Sequence, residues 1–542
     1  MASKDGLAHK LNRRSFLKLV GGAGALGATL GMAGCGETVS SDRAAGAGGW
    51  MPSQYNVPAG WPVQVRGRVA IAPDNPSITR DNEKCILCGQ CVEVCKNVQS
   101  VFDNYELPFK EEIICIHCGQ CTHWCPSGAI TEVDETEKVL RAISDPDKFV
   151  VVQMAPSTRV GLGEEFGFPV GLNVERLQYA ALYKLGFDAV FDTNFSADLT
   201  IMEEGSELVR RVLGENEHDG HENNTLPQFT SCCPGWVKFV EYYYPDLIEH
   251  LSSAKSPQQM TGPLYKTYYA EINGIDPRKI FSVSIMPCTA KKFEAARPEM
   301  NSASRLKGDP DISPDVDVVL TVRELARLIK SRGINFNELT EVDCDKIMGE
   351  YTGAGAIFGA TGGVMEAAVR SAYYLVTGEQ PPPGLWELTA VRGLDGVKEA
   401  AVNIPGAGEI RVCVVSGLAN ARAVMDKVRA GDRSYAFIEV MACPSGCQYG
   451  GGQPRSSSPP SDEVRTGRTA ALYQIDREAK LRNSHDNPAI IALYDNYLER
   501  PGSELAEFLL HTSYTSRADK LTAKRIQEPT LIVQRTQEPT LI

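Results

Sequence analysis

The residues in this sequence that could do chemistry are, above all, cysteines in short motifs. The stretch from Glu439 to Pro454 reads Glu-Val-Met-Ala-Cys-Pro-Ser-Gly-Cys-Gln-Tyr-Gly-Gly-Gly-Gln-Pro. Thiolates spaced like Cys443 and Cys447 can hold one iron–sulfur cluster from two sides. The glycines Gly450 to Gly452 carry no Cβ and reach φ > 0 readily. They are expected to let backbone N–H groups approach a bulky anionic ligand. Alone, the stretch equally suits a glycine-rich turn with two buried free cysteines. Two other stretches remove that ambiguity. Thr230-Ser-Cys-Cys-Pro-Gly-Trp236 offers adjacent thiols at Cys232 and Cys233, and Met286-Pro-Cys-Thr-Ala-Lys-Lys-Phe-Glu294 offers Cys288, a cation at Lys291 and a carboxylate at Glu294. Cys233, Cys288, Cys443 and Cys447 are enough for one [4Fe–4S] cluster.

Together the three motifs resemble the signature stretches of the [FeFe]-hydrogenases, over roughly residues 75 to 515. The resemblance implies a cofactor and a role for each residue around it. By that resemblance, the four thiolates hold a cubane, and Cys447 also bridges to a two-iron subsite carrying CO and cyanide, the whole being the H-cluster. It further implies that Cys232 faces the distal iron and acts as proton donor. The implied proton relay runs from Cys232 through Glu204, Ser252 and Glu207, then past Arg211 to solvent. Lys291 is implied to bind a cyanide ligand as a point charge. Ala155, Pro156, Ser157 and Gln258 match family residues that surround the two-iron subsite, and Met286, Phe358 and Met441 match its apolar wall. The glycine-rich run from Gly355 to Gly363 approaches from another side. Ser445 stands where many relatives have Gly. The implied activity is reversible H2 oxidation and proton reduction. The competing readings are a non-catalytic iron–sulfur assembly or scaffold relative, and an H2 sensor. A scaffold would not need Cys232, Lys291, Glu204 and the triple glycine together, and a sensor needs an output module that the sequence does not offer.

Upstream, Cys85-x2-Cys88-x2-Cys91-x3-Cys95 and Cys115-x2-Cys118-x2-Cys121-x3-Cys125-Pro126 match the bacterial two-cluster ferredoxin run, in which the fourth cysteine ligates the other cluster. Cys85, Cys88, Cys91 and Cys125 are therefore expected to hold one [4Fe–4S], and Cys115, Cys118, Cys121 and Cys95 the second. Two tandem runs of four argue against zinc. Of the 16 cysteines, only Cys35, Cys344 and Cys413 fall outside these motifs, which favours metal over disulfides.

The elements that must position these residues read as α/β. Phe149 to Gln153, Ala189 to Phe191, Ile280 to Met286, Val316 to Leu320, Arg411 to Val415 and Phe437 to Met441 are apolar, strand-like runs. Val174 to Leu185 and Asp198 to Arg211 read as helices, the second with Glu204 and Glu207 at i, i+3 and Arg211 one turn further. A solvated acidic face is the plain alternative for that helix. Thr321 is placed to cap a helix running to Ile329. Motifs just beyond strand ends fit ligands at the carboxyl edge of a sheet.

The expected organisation is a leader at 1–35, a linker at 36–78 and a ferredoxin-like α+β domain at 79–140. A two-lobed catalytic domain is expected at 148–460. Residues 465–515 form a helical segment resembling the family's small subunit, and 516–542 a tail with a short duplication. Arg13-Arg14-Ser-Phe-Leu-Lys18 before a Gly/Ala-rich run looks like a twin-arginine export signal. Met32-Ala-Gly-Cys35 resembles a lipoprotein site, leaving open lipidation at Cys35 or simple cleavage nearby. These features imply a periplasmic enzyme, exported by the twin-arginine machinery. A net charge of −13 argues against nucleic acid as a partner and suits a basic protein. The expected electron partner is an external carrier, a multihaem cytochrome c or a ferredoxin.

Overall fold

The computed structural model describes residues 67–101, 113–214, 224–456 and 461–521. The leader, Cys35, most of the linker and residues 522–542 of the tail lie outside the described residues.

The first described region is small. Strands β1 (Ile78–Arg80) and β2 (Ile130–Glu132) pair antiparallel, with Ile78 opposite Glu132. Short helices α1 (Gln90–Glu93) and α2 (Gln120–Trp124) each begin inside a cysteine run. The two runs share a backbone shape. Leu87 and Gly89 in the first, and His117 and Gly119 in the second, all have φ between 54° and 76°. Left-handed conformations at matching positions wrap each run into a loop. Leu87 and His117 hold them without glycine's freedom, so neighbouring packing must support them.

From residue 149 the strands are β3 (Phe149–Met154), β4 (Ala189–Asp192), β5 (Gln228–Phe229), β6 (Ile280–Met286), β7 (Val318–Thr321), β8 (Val397–Ile404), β9 (Gly408–Ser416) and β10 (Phe437–Met441). They form two four-stranded sheets. The order β4-β3-β6-β7 is parallel throughout, and its strands are almost wholly buried because helices cover both faces. The order β5-β10-β9-β8 is parallel except for the antiparallel hairpin β8–β9. β8 alternates exposed and buried side chains, as suits an edge strand with one wet face. The helices that matter most are α3 (Glu175–Leu185), α4 (Thr193–Leu213), α5 (Pro234–Tyr243), α6 (Val322–Ser331), α7 (Gly363–Thr377), α8 (Leu418–Arg429), α9 (Asp462–Glu478) and α10 (Glu504–Leu510).

Local sequence explains the boundaries. The Asp192 side chain caps α4 by accepting from Asn194 N, and Gly214 ends it at φ 68°. Thr321 caps α6 in a reciprocal capping box with Glu324. Two strands carry one polar residue in an otherwise apolar run, Gln153 in β3 and Glu439 in β10. Both are fully buried, and both are hydrogen-bonded to the first turns of helices near the carboxyl ends of the sheets.

Candidate metal centre

Cys233 precedes α5, just after β5. Cys288 follows the end of β6, and Cys443 follows the end of β10. Cys447 opens the single turn Cys447–Tyr449. The carboxyl ends of strands from both sheets therefore converge on these four thiols. Burial pushes up the Cys443 thiol, and Cys288, Cys118, Cys233 and Cys447 add to it. Burial, Cys233 and Cys288 do the same for Cys447. Cys288 is pushed up to about 12 by burial and by Cys233. Four buried thiols that oppose one another's ionisation favour a cation among them, because metal binding removes the protons that solvent cannot. Every described cysteine is a free thiol, so the donor set is available to an iron–sulfur cluster.

The same neighbour relations sort the upstream cysteines. Burial pushes the Cys91 thiol up to about 11, helped by Cys88, Cys125 and Cys85. Cys118 is raised by burial, Cys95, Cys115 and Cys288. A cavity lined by Cys95, Cys115, Cys118 and Cys121 is closed by Val69, Ile78 and Val94. These groupings suit two cubanes, and Cys118 neighbours both Cys288 and Cys443 of the third site.

The triple glycine does something that the sequence did not show. A Cβ on Gly451 would stand 2.6 Å from the Gly119 carbonyl carbon, and closer still to the Cys118 carbonyl oxygen. On Gly452 it would stand 2.8 Å from Thr321 Cβ. The glycine carbonyls are held by side chains of the cysteine-rich region: Thr122 Oγ1 donates to Gly451 O at 3.0 Å, and His123 Nε2 lies 2.8 Å from Gly450 O. The left-handed residues are instead Ser445 (φ 68°) and Gly446 (φ 93°). Gly450 to Gly452 thus let two backbones touch, with Gly450 N donating to Cys447 O and Gly452 N to Pro287 O.

Around the thiols, Lys291 Nζ donates to Cys232 O at 3.0 Å and to Glu294 Oε2 at 2.9 Å. Burial disfavours its charge, but Glu294 outweighs burial and raises its pKa. Gln258 Nε2 reaches Glu294, and Gln453 Nε2 donates to Ser157 O at 2.8 Å. Ser157 Oγ and Gln258 Oε1 are buried polar atoms with no hydrogen-bond partner, as at a site that receives a polar group. Ala155 and Met286 share one buried apolar cluster. Phe358 and Met441 belong to another, which also contains Cys233. Pro156 is buried in the turn after β3.

Away from the thiols runs a line of acids on α4, whose acidic face is buried rather than solvated. Burial, then Glu204, Cys447 and Cys233, push the Cys232 thiol well above its usual value, so it stays protonated near neutrality. Glu204 is pushed up to about 8 by burial and by Glu207, which outweigh the opposing hydrogen bonds from the Ser231 backbone and the Ser252 side chain. Ser252 Oγ donates to Glu207 Oε2 at 2.6 Å. Arg211 is buried, not at the surface. Its guanidinium donates to Glu207 Oε1 at 2.5 Å and to the carbonyls of Thr225, Glu249 and Leu251.

Sequence reasoning missed several residues. Glu439 accepts from Gly362 N and Met365 N, which fixes the glycine-rich run beside the third motif. Its only signal was a charge inside an apolar strand. Thr289 Oγ1 donates to His117 O at 2.6 Å, tying the second motif to the second cysteine run. Arg465 and Arg468 of α9 reach Ser445 Oγ and Gln448 O.

Comparison with known proteins agrees with this geometry. The family described as "Iron only hydrogenase large subunit, C-terminal domain" matches residues 148–451. "Iron hydrogenase small subunit" matches 462–517, and "4Fe-4S binding domain" matches 78–98. The chain is 47% identical over 455 residues to the NADP-reducing hydrogenase subunit HndD of Solidesulfovibrio fructosivorans, covering 81% of this chain and 75% of that one. It is 47% identical over 380 residues to the periplasmic [Fe] hydrogenase large subunit of Nitratidesulfovibrio vulgaris, covering 69% and 85%. The solved apo [FeFe]-hydrogenase HydA1 of Chlamydomonas reinhardtii superposes with a TM-score of 0.61 at 41% identity, covering 71% of this chain and 99% of that one.

Proposed function

Because the chain belongs to the [FeFe]-hydrogenase family and is thereby an oxidoreductase acting on H2, we propose a role for each part of its site. Cys233, Cys288, Cys443 and Cys447 would hold the H-cluster. When bound, that cluster supplies the iron at which H2 is split or formed. Ala155, Pro156, Ser157 and Gln258 line its pocket, and Met286, Phe358 and Met441 keep water away. Lys291 offers its charge to an anionic ligand while holding the Cys232 main chain in place.

Cys232 gives and takes the proton. Glu204, poised near neutrality, receives it, and Ser252 links Glu204 to Glu207. A guanidinium does not deprotonate in proteins, so Arg211 orients Glu207 rather than carrying the proton. Electrons pass to the set Cys95, Cys115, Cys118 and Cys121, since Cys118 adjoins the catalytic thiols. They leave through the set Cys85, Cys88, Cys91 and Cys125. The observation that carries the reading is the meeting of four buried thiols with a buried acid chain at the carboxyl ends of both sheets. The test is infrared absorption in the CO and cyanide region of anaerobically purified protein, together with H2-dependent reduction of a viologen dye. Iron without CO and cyanide bands would favour a scaffold role.

We further propose that the enzyme acts in the periplasm, exported folded by the twin-arginine route, with a lipid at Cys35 as one form of tether. Its partner there is a basic multihaem cytochrome c, with a ferredoxin the alternative.

A further inference from the structure

The proposed relay ends at Glu207, and its outer leg has no carrier yet. Arg211 is locked by Glu207 and three backbone carbonyls. On its other side Glu207 borders a cavity of about 1030 Å³, whose wall also carries Ser253, Glu507 and His511. Exposed residues such as Glu499 and Glu504 form its rim.

His511 comes from the segment after α10, far from α4 in sequence. The chain there runs antiparallel to residues 253–255. Lys255 N donates to Leu510 O, and Thr512 N donates to Ser253 O, both at 2.8 Å. This pairing sets the imidazole beside the serine pair that serves Glu207. Ser253 N donates to Glu207 Oε2 at 3.2 Å, and Ser253 Oγ lies 2.8 Å from His511 Nδ1. His511 Nε2 lies 3.0 Å from Glu203 Oε2, which also accepts from Gly502 N. An acceptor at Nε2 keeps the proton on that nitrogen, so Nδ1 is the one that gains and loses a proton. It lies 3.5 Å from Glu507 Oε2.

We propose that His511 is the outer relay group of this hydrogenase, passing protons between Glu207 and solvent through the cavity that both line, past Glu507. The inference rests on Glu207 being the end of the inner relay. For proton uptake, a proton from solvent reaches Nδ1 past Glu507, and the imidazolium returns to its Nε2–H form as the Glu207 carboxylate is protonated. No heavy-atom bond changes and no electron moves. The groups facing the imidazole suit this work. Glu203 and Glu207 face it from α4, and Glu507 from α10. Arg210 lies 3.9 Å from Glu507, and Arg305 stands on the cavity wall. Burial disfavours the imidazolium, but the Glu203 hydrogen bond and the charges of Glu203, Glu507 and Glu207 outweigh it and raise the His511 pKa. The C-terminal segment thus contributes chemistry as well as packing.

The test uses the loaded holoenzyme and three variants. His511→Gln keeps a donor for Glu203 but has no titrating nitrogen. Its kcat for H2 evolution should fall about tenfold or more, with KM for the dye, iron content and cofactor infrared bands unchanged. His511→Ala should regain rate when imidazole is added, and its pH profile should follow the pKa of the added base. The third readout does not use turnover: the Glu204 carboxyl stretch shifts on transfer into D2O, and that shift should be slower in His511→Gln. An unchanged pH profile and exchange rate in His511→Gln would overturn the role of His511. So would a loss of rate that imidazole does not restore in His511→Ala, with normal exchange. Glu204→Ala separates the two levels. If it abolishes turnover while His511→Gln does not, the inner relay stands and only the outer leg is wrong; if it leaves turnover intact, the relay itself fails.

Discussion

At the scale of single residues, Cys232 carries the heaviest chemical demand. Its thiol is kept protonated by burial and by Glu204, the form a donor needs before each transfer. Cys232→Ser preserves size but removes titration from any working range. H2 evolution should then fall about 100-fold or more, with iron and infrared bands intact, and Cys232→Asp should recover part of the rate. Near-normal turnover in Cys232→Ser with a full cofactor would place the donor elsewhere. Glu204 has a second consequence. Its folded pKa of about 8 lies above its ordinary 4.5. Between those values the unfolded chain has released the proton that the fold retains, so this residue lowers stability as pH rises through that window. Below the window it has no effect, and above it the cost is complete. Glu204→Gln should therefore flatten the melting-temperature profile between about pH 4.5 and pH 8, while slowing turnover. Sequence reached the cysteine motifs because spacing is local, and reached Glu204 and Glu207 only through the family resemblance. It could not show that Arg211 is enclosed or that Glu439 holds the Gly362 loop, because both depend on chain segments dozens of residues away.

Among the elements, the loop bearing Gly450 to Gly452 joins the electron-carrying region to the catalytic one. Gly451 meets the backbone of Cys118 and Gly119, atoms that cannot step aside as a flexible side chain would. Gly451→Ala should cost about 1–3 kcal/mol or more. It should also separate Cys118 from Cys288, so that electron transfer to an external carrier slows more than transfer to a small dye. Thermal unfolding and the two rates measured side by side check this. Equal rates would mean that the contact is structural alone. Strands β3, β6 and β10 were legible as apolar runs, with β6 and β10 legible to the residue, because strands buried on both faces need no polar alternation. β8 was not read at all. Its one wet face breaks the apolar run, and its pairing with β9 across the turn at Pro405 to Ala407 is what makes it a strand. The backbone contact at the glycines was missed for a related reason: sequence shows where a Cβ is missing, not what occupies its place.

At the scale of the whole molecule the question is where the protein works and what meets it. On the proposed periplasmic location, a cofactor-loaded enzyme would have to leave the cytoplasm folded, which a twin-arginine address permits. Arg13→Lys with Arg14→Lys should leave active enzyme inside the cell, and full periplasmic recovery of that variant would mean that the address is misread. The outgoing electron sets the last expectation. Cys85 and Cys88 are half-buried, and between them Ile86 is 64% exposed, beside exposed Asp81 and Glu83. Exposed Lys84, paired with Asp81 at 3.1 Å, makes the surface beside this apolar tip mixed in charge, so the attraction for a basic carrier rests on the net charge of −13. Such steering acts on the approach of the partners and is screened within about 8–10 Å at ordinary ionic strength. The rate with a basic multihaem cytochrome c should therefore fall as salt rises, while the rate with an uncharged dye should not. Replacing Asp81 and Glu83 by lysines should lower the low-salt rate and weaken the salt effect, leaving dye turnover alone. A salt-independent cytochrome rate would mean that electrons leave by another face or to another class of carrier.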